Sequence, residues 1–428
     1  MTLHDDPRRF LMHLFDAAIR AVQPATCLPP HLPAPPEGRL VILAAGKAAA
    51  SMSAAAEDFY HSRWPGTIIE GIAVTRYGHA CPTKHVVVHE AGHPYPDAAG
   101  TKASAEILAL AQSLESSDMA LVLLSGGASA LLSLPPEGVT IDEKQTLTRS
   151  LLASGAPIAD VNCVRSHLSR IKGGRLAEAV FPAQLCTLAI SDVAGNHASV
   201  IASGPTAPAQ TDRTDALDII QRYNMAASDN ILRHIQTAAP PPTKTDACFE
   251  NARFTVVATG SQALSAAASL AREVGCEVSI VGDELEGPAG DLAIAHARMA
   301  RSHTNPGVPR LILSGGEATV ALSSAHGKGG PNQEFALALA LELHGERNIH
   351  ALSCDTDGID GGSGDAGDPA GAFISSRTLR RAKNMGLNPQ EALAAHDSGT
   401  FFGALGDLVT IGPTLTNVND FRAILVSA

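Results

Sequence analysis

Two glycine turns that follow buried, β-branched runs are the first places in this sequence where a chemistry is indicated. The runs MALVLLSGG and RLILSGG end in the same triplet, which stands once as Ser125-Gly126-Gly127 and again as Ser314-Gly315-Gly316. Glycine tolerates backbone conformations in which successive N–H groups point the same way, and such groups bind anions. Both turns are therefore predicted to bind phosphate, although an ordinary strand-to-helix turn would have the same sequence.

A lysine follows another run of this kind. RLVILAAGK ends in Gly46 and Lys47, so an ammonium group is expected at the end of a strand, where it can reach a phosphate as a mobile charge. The turn is not a Walker A loop, because Ala48 stands where Ser or Thr is required. Lys47 is predicted to lie near a transferring phosphoryl group, and an unengaged surface lysine is the alternative.

A basic segment between residues 161 and 177 is unusual in a chain whose formal net charge is -12. It contains four basic residues and no acidic one: Arg165, Arg170, Lys172 and Arg175. Gly173 and Gly174 interrupt its helical spacing, so the basic side chains are expected to fan around a turn that binds a polyphosphate or a carboxylate. Lys172 and Arg175 are predicted to be catalytic, and a solvated helix face is the alternative.

Hydroxyl, amide and carboxylate groups that suit Mg²⁺ or a substrate hydroxyl follow other predicted strands. Asp192 ends the strand LCTLAISD and is predicted to be catalytic, directly or by holding Mg²⁺. Ser203-Gly204 forms a tight turn shortly afterwards, and this turn is predicted to bind phosphate. Carboxylate oxygens are ligands that Mg²⁺ prefers. The second half of the chain offers five more candidates for binding substrate or metal: Glu317, Asn332, Glu334, Asp357 and Asp360. Helix capping and solvated Asp-Gly turns would explain the same residues without any ligand.

Short β-branched runs alternate with Ala/Leu-rich helical runs along the chain, which predicts an α/β fold with parallel sheets covered on both faces. Ligands of such folds bind at the carboxyl ends of the strands. The Pro-rich segment 238–246 is predicted to link two domains, residues 1–237 and 247–428, because strand and helix patterns restart after it.

Composition excludes several classes of partner. A net charge of -12 argues against nucleic acid or an anionic membrane as a partner. The sequence contains no run of about 18 apolar residues, so no membrane span is predicted. The seven cysteines show no CxxC spacing, which predicts a reduced, cytoplasmic protein without a disulfide framework. The opening residues MTLHDDPRRF lack the apolar stretch of a secretory signal.

Seven sequence blocks together resemble the MOFRL-type glycerate 2-kinases, some of which carry the older label hydroxypyruvate reductase. The blocks are LSGGASALL, HLSRIKGGRLA, ISDVAGNHASVIASGPTAP, ILSGGEATV, GGPNQEFALALA, DTDGIDG and LGDLVTIGPTLTNVND, and EAGHPYPDAAG also matches. The resemblance implies an N-terminal Rossmann-like parallel sheet, a C-terminal MOFRL α/β domain and an active site in the cleft between them. It also implies ATP, Mg²⁺ and D-glycerate as ligands, and it matches Lys47 to a phosphate-contacting lysine.

This chain departs from that family pattern at three places. Pro331 stands where many members have Arg, Gly195-Asn196 stands where Gly-Asp is frequent, and His396 stands where Asn is usual. If the missing Arg neutralises phosphate, then Lys328, Lys172 or Arg175 must replace it.

Three questions stay open from the sequence. A dehydrogenase acting on hydroxypyruvate with NAD(P)H is the first alternative function, but it predicts a GxGxxG turn that neither Gly46-Lys47-Ala48-Ala49 nor Gly260-Ser261-Gln262-Ala263 provides. A non-catalytic sensor of a phosphorylated ligand is the second. A homodimer is also compatible with the sequence.

Overall fold

The computed structural model describes residues 6–302, 307–321, 327–362 and 365–427. These residues form two compact units. Residues Pro24–Val257 form one, here called the parallel-sheet unit, and residues up to Gln23 together with those from Ala258 onward form the other, here called the mixed-sheet unit. The prediction of two α/β domains is thus confirmed, but their bounds differ from the expected 1–237 and 247–428.

Helix α1 (Pro7–Ala21) explains the first difference in bounds. Its buried face, which includes Phe10, Leu14 and Phe15, packs in the mixed-sheet unit, where the ring centroids of Phe15 and Phe421 lie 5.4 Å apart. An amphipathic pattern shows that a helix has an apolar face but not which sheet that face covers. The first helix therefore belongs with the C-terminal half of the chain.

The segment 252–258 explains the second difference. It was expected to open the second domain, yet it forms the last strand of the first sheet and lies beside the strand Gln184–Ile190. The chain therefore leaves the parallel-sheet unit after this strand rather than at the Pro-rich segment 238–246. Periodicity cannot distinguish these possibilities, because a strand looks the same at the end of one sheet as at the start of the next.

The parallel-sheet unit has a six-stranded sheet in the order β3-β2-β1-β4-β5-β6. Its strands are β1 (Leu40–Ala45), β2 (Ile69–Arg76), β3 (Val86–Ala91), β4 (Met119–Leu124), β5 (Gln184–Ile190) and β6 (Ala252–Ala258). The pairs that join β1 to β5 into one sheet are all parallel. Every residue of β1 and β4 is buried, as expected for the centre of a sheet covered on both faces.

This unit contains nine α-helices in the residues that the structure describes. They are α2 (Pro24–Cys27), α3 (Ala49–Arg63), α4 (Ala98–Gln112), α5 (Ala128–Leu131), α6 (Ile141–Ala153), α7 (Ile158–His167), α8 (Arg175–Val180), α9 (Arg213–Arg222) and α10 (Asp229–Thr237). Helix α7 ends at His167, four residues before the end of the helical spacing that the sequence shows, because the chain turns away at Leu168. This turn brings the basic segment back towards α5.

The strand order makes β1 and β4 the point where the sheet reverses its direction of growth. After β1 the chain adds β2 and β3 on one side, and it then returns to place β4 and β5 on the other side. In open parallel sheets a crevice opens at such a point, outside the carboxyl ends of the two central strands. The turns after β1 and β4 hold Lys47 and Ser125-Gly126-Gly127, so the fold puts both predicted phosphate turns at this crevice.

The mixed-sheet unit contains a second six-stranded sheet, in the order β11-β10-β9-β12-β8-β7. Its strands are β7 (Glu277–Pro288), β8 (Arg310–Thr319), β9 (Ile349–Asp355), β10 (Gly371–Ile374), β11 (Leu408–Val409) and β12 (Asp420–Val426). Only β7 and β8 pair in parallel, whereas the other pairs are antiparallel. The expectation of a parallel sheet here is therefore wrong, because the last strand inserts between β8 and β9 in the opposite direction.

Helix α13 (Pro331–Leu343) is the centre of this unit. Phe335, Leu337 and Leu339 are all fully buried, so the helix packs on more than one side. The helices that follow α1 in this unit are α11 (Gly260–Glu273), α12 (Ala289–Arg301), α13 (Pro331–Leu343), α14 (Thr378–Asn384), α15 (Pro389–Ala394) and α16 (Ser398–Leu405).

Two further expectations can be compared with the described residues. All seven cysteines are free thiols, in agreement with the absence of a disulfide framework. No helix in the described ranges is long and apolar enough to cross a bilayer.

The close packing of β7 on β8 can be tested at Gly316. Its φ is +101°, and a Cβ there would lie 2.2 Å from the carbonyl oxygen of Leu285. Gly316→Ala should lower the free energy of unfolding by about 2 kcal/mol or more, because neither the backbone conformation nor the neighbouring strand accepts a methyl group. Urea titration of the full chain measures the change. Gly290→Ala in α12 is the control, since its Cβ would meet no atom within 4 Å, and equal losses in both variants would contradict this account.

Candidate active site

The turns after β1 and β4 are locked together by backbone and serine hydrogen bonds. The Lys47 N–H donates to the carbonyl oxygen of Gly126 at 2.8 Å, and the Ser125 N–H donates to the carbonyl oxygen of Ala45 at 3.0 Å. The Ala48 N–H donates to the hydroxyl oxygen of Ser125 at 2.9 Å. These bonds hold Lys47 beside the first Ser-Gly-Gly turn, so the two turns form one local structure.

Glycine is required at two positions of this lock. Gly46 has a φ of +126°, and a Cβ there would lie 2.2 Å from the Ser125 Oγ. Gly127 has a φ of +81°, and a Cβ there would lie 3.0 Å from the ring of His93 and 3.4 Å from the Cγ of Lys47. The side chains of Lys47 and His93 therefore converge over Gly127.

The amides of the first Ser-Gly-Gly turn remain available to a ligand. The N–H groups of Gly126 and Gly127 have no acceptor in the described part of the chain. Two such consecutive N–H groups can hold an anionic oxygen when the second residue, here Gly127, has a positive φ. This site thus combines the fixed N–H dipoles of Gly126 and Gly127 with the positive charge of Lys47.

His93 was not singled out by the sequence reasoning. It follows β3 by two residues and is half-buried, so it stands at the same edge of the sheet as Lys47. The available signal in the sequence was the β-branched run Val86-Val87-Val88, which His93 follows by five residues.

The turn 203–204 and the turn 172–174 lie against the first helix turn after Gly127. The hydroxyl oxygens of Ser129 and Ser203 are 2.9 Å apart. The N–H groups of Gly173 and Gly174 donate to the carbonyl oxygens of Ser203 and Gly204, at 3.2 and 2.7 Å. The structure thus brings together three glycine turns that the sequence named separately.

The backbone N–H groups of these two turns nevertheless already have acceptors within the protein. The amides of Ser203 and Gly204 donate to the carbonyl oxygens of Val200 and Ile201, each at 2.9 Å. These four amides already have acceptors within the protein, which disfavours the predicted binding of phosphate by the backbone of Gly173, Gly174, Ser203 and Gly204. Their structural role is to place Lys172 and the Ser203 hydroxyl.

Lys172 and Arg165 both point at Ser129. The ammonium group of Lys172 and the guanidinium of Arg165 donate to the carbonyl oxygen of Ser129, the latter at 3.2 Å. Burial lowers the pKa of Lys172 well below its usual value, and the positive charge of Arg165 lowers it further. A buried ammonium whose acceptor is only a carbonyl is poorly compensated, so the protonated form of Lys172 is disfavoured unless an anion lies nearby.

Arg175 takes a different direction from the one expected. Its guanidinium donates to the carbonyl oxygens of Ser166 and Ala239, at 3.4 and 3.3 Å. The residue therefore ties the Pro-rich segment to α7 and is not directed at Ser129. Asp192 lies two residues after β5, half-buried, at the same edge of the sheet as Lys47.

The second Ser-Gly-Gly triplet does not form a turn. Ser314, Gly315 and Gly316 all lie inside β8, and the hydroxyl of Ser314 is hydrogen-bonded to Nε2 of the buried His296 at 2.8 Å. The glycines allow the bulged part of β7 to approach closely at Leu285. The predicted equivalence of the two triplets is therefore wrong, because identical residues follow a strand in one unit and continue a strand in the other.

Asn332 and Asp360 belong to an internal polar network. The carboxylate of Asp360 accepts hydrogen bonds from the N–H groups of Asn332 and Gln333, at 2.9 and 2.8 Å, and so caps α13. The Asn332 side chain also bonds Ser353 at 2.6 Å and Asp420 at 2.5 Å. Both residues are buried and hydrogen-bonded within the protein, so each has a structural role. Their role in binding substrate or metal stays a prediction.

The remaining candidates of the mixed-sheet unit differ in exposure. Asp357 is buried, and its carboxylate accepts a hydrogen bond from the Ile359 N–H at 2.8 Å, which closes its own turn. Glu317 is exposed on β8. Glu334 is half-buried, and its carboxylate lies 2.8 Å from Nδ1 of His396.

A pocket of about 690 Å³ within the mixed-sheet unit includes Glu334 and His396. Its wall combines a lysine, two further carboxylates and several glycines, among them Lys328, Gly329, Gly330, Asp360, Gly361, Gly362 and Asp368. A volume of this size accommodates a small-molecule ligand. In the ranges that the structure describes, no group of three or more His, Cys, Asp or Glu side chains could hold a metal ion.

Comparisons with known proteins cover nearly the whole chain. Residues 310–420 match the MOFRL family, and residues 10–236 match a family described as a domain of unknown function, DUF4147. A provisionally named hydroxypyruvate reductase of Agrobacterium vitis is 44% identical and covers 100% of this chain and 96% of its own length. D-glycerate 2-kinase of Thermotoga maritima is 36% identical, with 96% of this chain and 97% of the relative covered.

A solved structure agrees with these sequence matches. The crystal structure of glycerate kinase from Thermotoga maritima superimposes with a TM-score of 0.84 at 35% identity. The match covers 98% of this chain and 99% of that one.

Asp360 makes the stability of the mixed-sheet unit depend on pH. Burial raises the pKa of its carboxyl group from 3.8 to about 7, against the hydrogen bonds from Asn332 and Gln333. The folded chain therefore keeps a proton that the unfolded chain releases. The stabilisation is complete below about pH 4 and is lost as the pH rises to about 7.

Relative to Asp360→Asn, the wild-type chain should lose about 2 kcal/mol of unfolding free energy between pH 5 and pH 7. Urea titrations of both proteins at several pH values measure this difference. Asp291→Asn removes an exposed carboxyl from the same unit and is the control. If the unfolding free energies of the wild-type chain and of Asp360→Asn differ by the same amount throughout this pH range, the assignment is contradicted.

Proposed function

This chain belongs to the MOFRL family, and we propose that it is a D-glycerate 2-kinase, an enzyme that moves the γ-phosphoryl group of ATP to the 2-hydroxyl of D-glycerate. The relative that carries this name is 36% identical over nearly the full length of both chains. The observation that carries the proposal is the lock of Lys47 onto the Ser125-Gly126-Gly127 turn, with two N–H groups left for a ligand at the crevice between β1 and β4.

Phosphoryl transfer depends mainly on positioning and on charge stabilisation. The N–H groups of Gly126 and Gly127 are fixed donors that can hold phosphate oxygens without reorganising. Lys47 adds a positive charge that can follow the transferring group. His93, whose ring lies against the same glycine, is a further group that can contact substrate or phosphate there.

Mg²⁺ commonly binds through one or two carboxylates, water molecules and the phosphates of a nucleotide. The donors of this chain fit such a site, since Asp192 stands at the crevice edge as a half-buried carboxylate. When bound, the ion supplies charge neutralisation on the phosphates. We assign Asp192 either to this ion or to the substrate hydroxyl, and Glu317 remains a second candidate carboxylate.

Lys328 is the best remaining candidate for the work of the Arg that Pro331 replaces. Lys172 and Arg175 donate to backbone carbonyls, whereas the Lys328 side chain lines the pocket of the mixed-sheet unit. A cleft between the two domains, a cytoplasmic location and a homodimer stay predictions.

Product analysis distinguishes the kinase from its alternatives. Purified protein with Mg-ATP and D-glycerate should yield ADP and 2-phosphoglycerate in equal amounts, with the 2- and 3-phosphates separated by chromatography or ³¹P NMR. The same protein should not oxidise NADH or NADPH when hydroxypyruvate is supplied. Reduction of hydroxypyruvate without phosphorylation of glycerate would favour the dehydrogenase, and activity with neither would leave a phospholigand sensor.

Removal of the Lys47 ammonium tests the proposed phosphate site. Lys47→Ala should reduce kcat/KM for glycerate phosphorylation at least about 100-fold, as expected for the loss of a fixed charge at the transferring group. Lys102→Ala, which removes an exposed lysine of α4 in the same unit, provides the comparison. A Lys47→Ala rate within about threefold of wild type would place the lysine outside the site.

A further inference from the structure

Three basic side chains gather inside the parallel-sheet unit without a carboxylate among them. Lys144 lies on α6, Arg165 on α7 and Lys172 in the turn before α8. They are close enough that the charge of Arg165 lowers the pKa of both lysines and the charge of Lys144 lowers that of Lys172. Only 5% of Lys144 and 1% of Lys172 is exposed to solvent, whereas Arg165 is half-buried. The group is here called the buried basic cluster. Its most accessible member is Arg165.

The contacts of the buried basic cluster are few for its charge. Arg165 and Lys172 share one acceptor, the carbonyl oxygen of Ser129. The Nζ of Lys144 has no hydrogen-bond partner. Within the described ranges, none of the three forms an ion pair with a carboxylate.

This arrangement is costly unless an anion joins it. A buried ammonium without a partner loses its hydration and gains little from a single carbonyl dipole. Burial, with a smaller contribution from Arg165, lowers the pKa of Lys144 to about 7. A buried lysine avoids this cost by losing its proton, and a bound anion would restore its charge. Perturbed groups of this kind cluster at functional sites, so the cluster has the character of an incomplete ion pair.

The position of Ser129 relates the cluster to the phosphate site. Ser129 stands two residues after Gly127, in the first turn of α5, and its hydroxyl contacts that of Ser203. The acceptor that Arg165 and Lys172 share is thus adjacent to the turn assigned to phosphate. In a 2-hydroxy acid the carboxylate is attached to the same carbon as the reacting hydroxyl, so its binding site must lie beside the site of phosphoryl transfer.

We infer that Lys144, Arg165 and Lys172 bind the carboxylate of the hydroxy-acid substrate beside Ser129. This inference rests on the proposed kinase function. Arg165 offers a planar pair of donors that matches the two oxygens of a carboxylate, and the two lysines supply point charges from behind. The site selects acids over neutral polyols, since only an anion can pair with Arg165 and with the protonated lysines. Arg175 is not part of it, because its guanidinium donates to the carbonyl oxygens of Ser166 and Ala239.

Binding measured without turnover tests this assignment. Calorimetric titration of the full chain with D-glycerate, with glycerol and with ATP should show binding of glycerate and ATP but none of glycerol. Lys144→Met keeps the length of the side chain and removes its charge. It should weaken glycerate binding at least tenfold and leave ATP binding within threefold of wild type. Lys102→Met, at an exposed lysine of the same unit, should bind both ligands as wild type does.

A second variant keeps the test decisive if Lys144→Met does not fold. Arg165→Met alters the half-buried member of the cluster and should show the same selective loss of glycerate binding. In turnover the loss should fall on KM for glycerate more than on kcat, while KM for ATP stays unchanged. A merely structural role would change binding of both ligands together.

Two outcomes overturn the inference. Unchanged glycerate affinity in every folded cluster variant removes the carboxylate site even if the wild-type protein phosphorylates glycerate. Loss of ATP binding alone reassigns the cluster to a nucleotide phosphate. Failure of the kinase proposal is distinguishable from both, because glycerate would then bind through the cluster in the wild-type protein and no phosphoglycerate would form.

Discussion

The bonds that lock the turn after β1 to the turn after β4 are the constraint on which this site depends. They tie Lys47 to Gly126 and Ala48 to the Ser125 hydroxyl, so the lysine and the two unpaired amides keep one relative position. The parallel pairing of β1 with β4 brings the two turns to the same edge. A point charge and fixed dipoles stabilise a phosphate far better when their geometry is set before the ligand arrives.

The turns 172–174 and 203–204 of the parallel-sheet unit support this site through hydrogen bonds within the protein. The amides of Gly173 and Gly174 bond the carbonyls of Ser203 and Gly204, which fixes the turn that carries Lys172. The hydroxyls of Ser129 and Ser203 close the contact from the other side. Backbone dipoles and charged side chains therefore have different roles. The N–H groups of Gly126 and Gly127 are available to the ligand, whereas the turn 172–174 positions the ammonium group of Lys172 near Ser129.

The mixed-sheet unit uses similar sequence signals for a different purpose. Asp360 caps α13, Asn332 joins that cap to Asp420, and Ser314 bonds a buried histidine. A buried polar network of this kind stabilises the fold only when its polar groups are hydrogen-bonded to one another. What stays open to ligands is the pocket that contains Lys328 and the Glu334–His396 pair.

The α/β class, the buried strands before Lys47 and Ser125, and the basic character of the segment 161–177 could all be predicted from the sequence. Strand periodicity, glycine pairs and charge are local properties that a chain displays before it folds. Which glycine turns keep free amides, and that Lys144 belongs with Arg165 and Lys172, became apparent in the folded chain. The tertiary structure also decided that the second Ser-Gly-Gly triplet continues a strand. Each of these depends on which strand or helix comes to lie beside the residue, and that neighbour is distant in sequence.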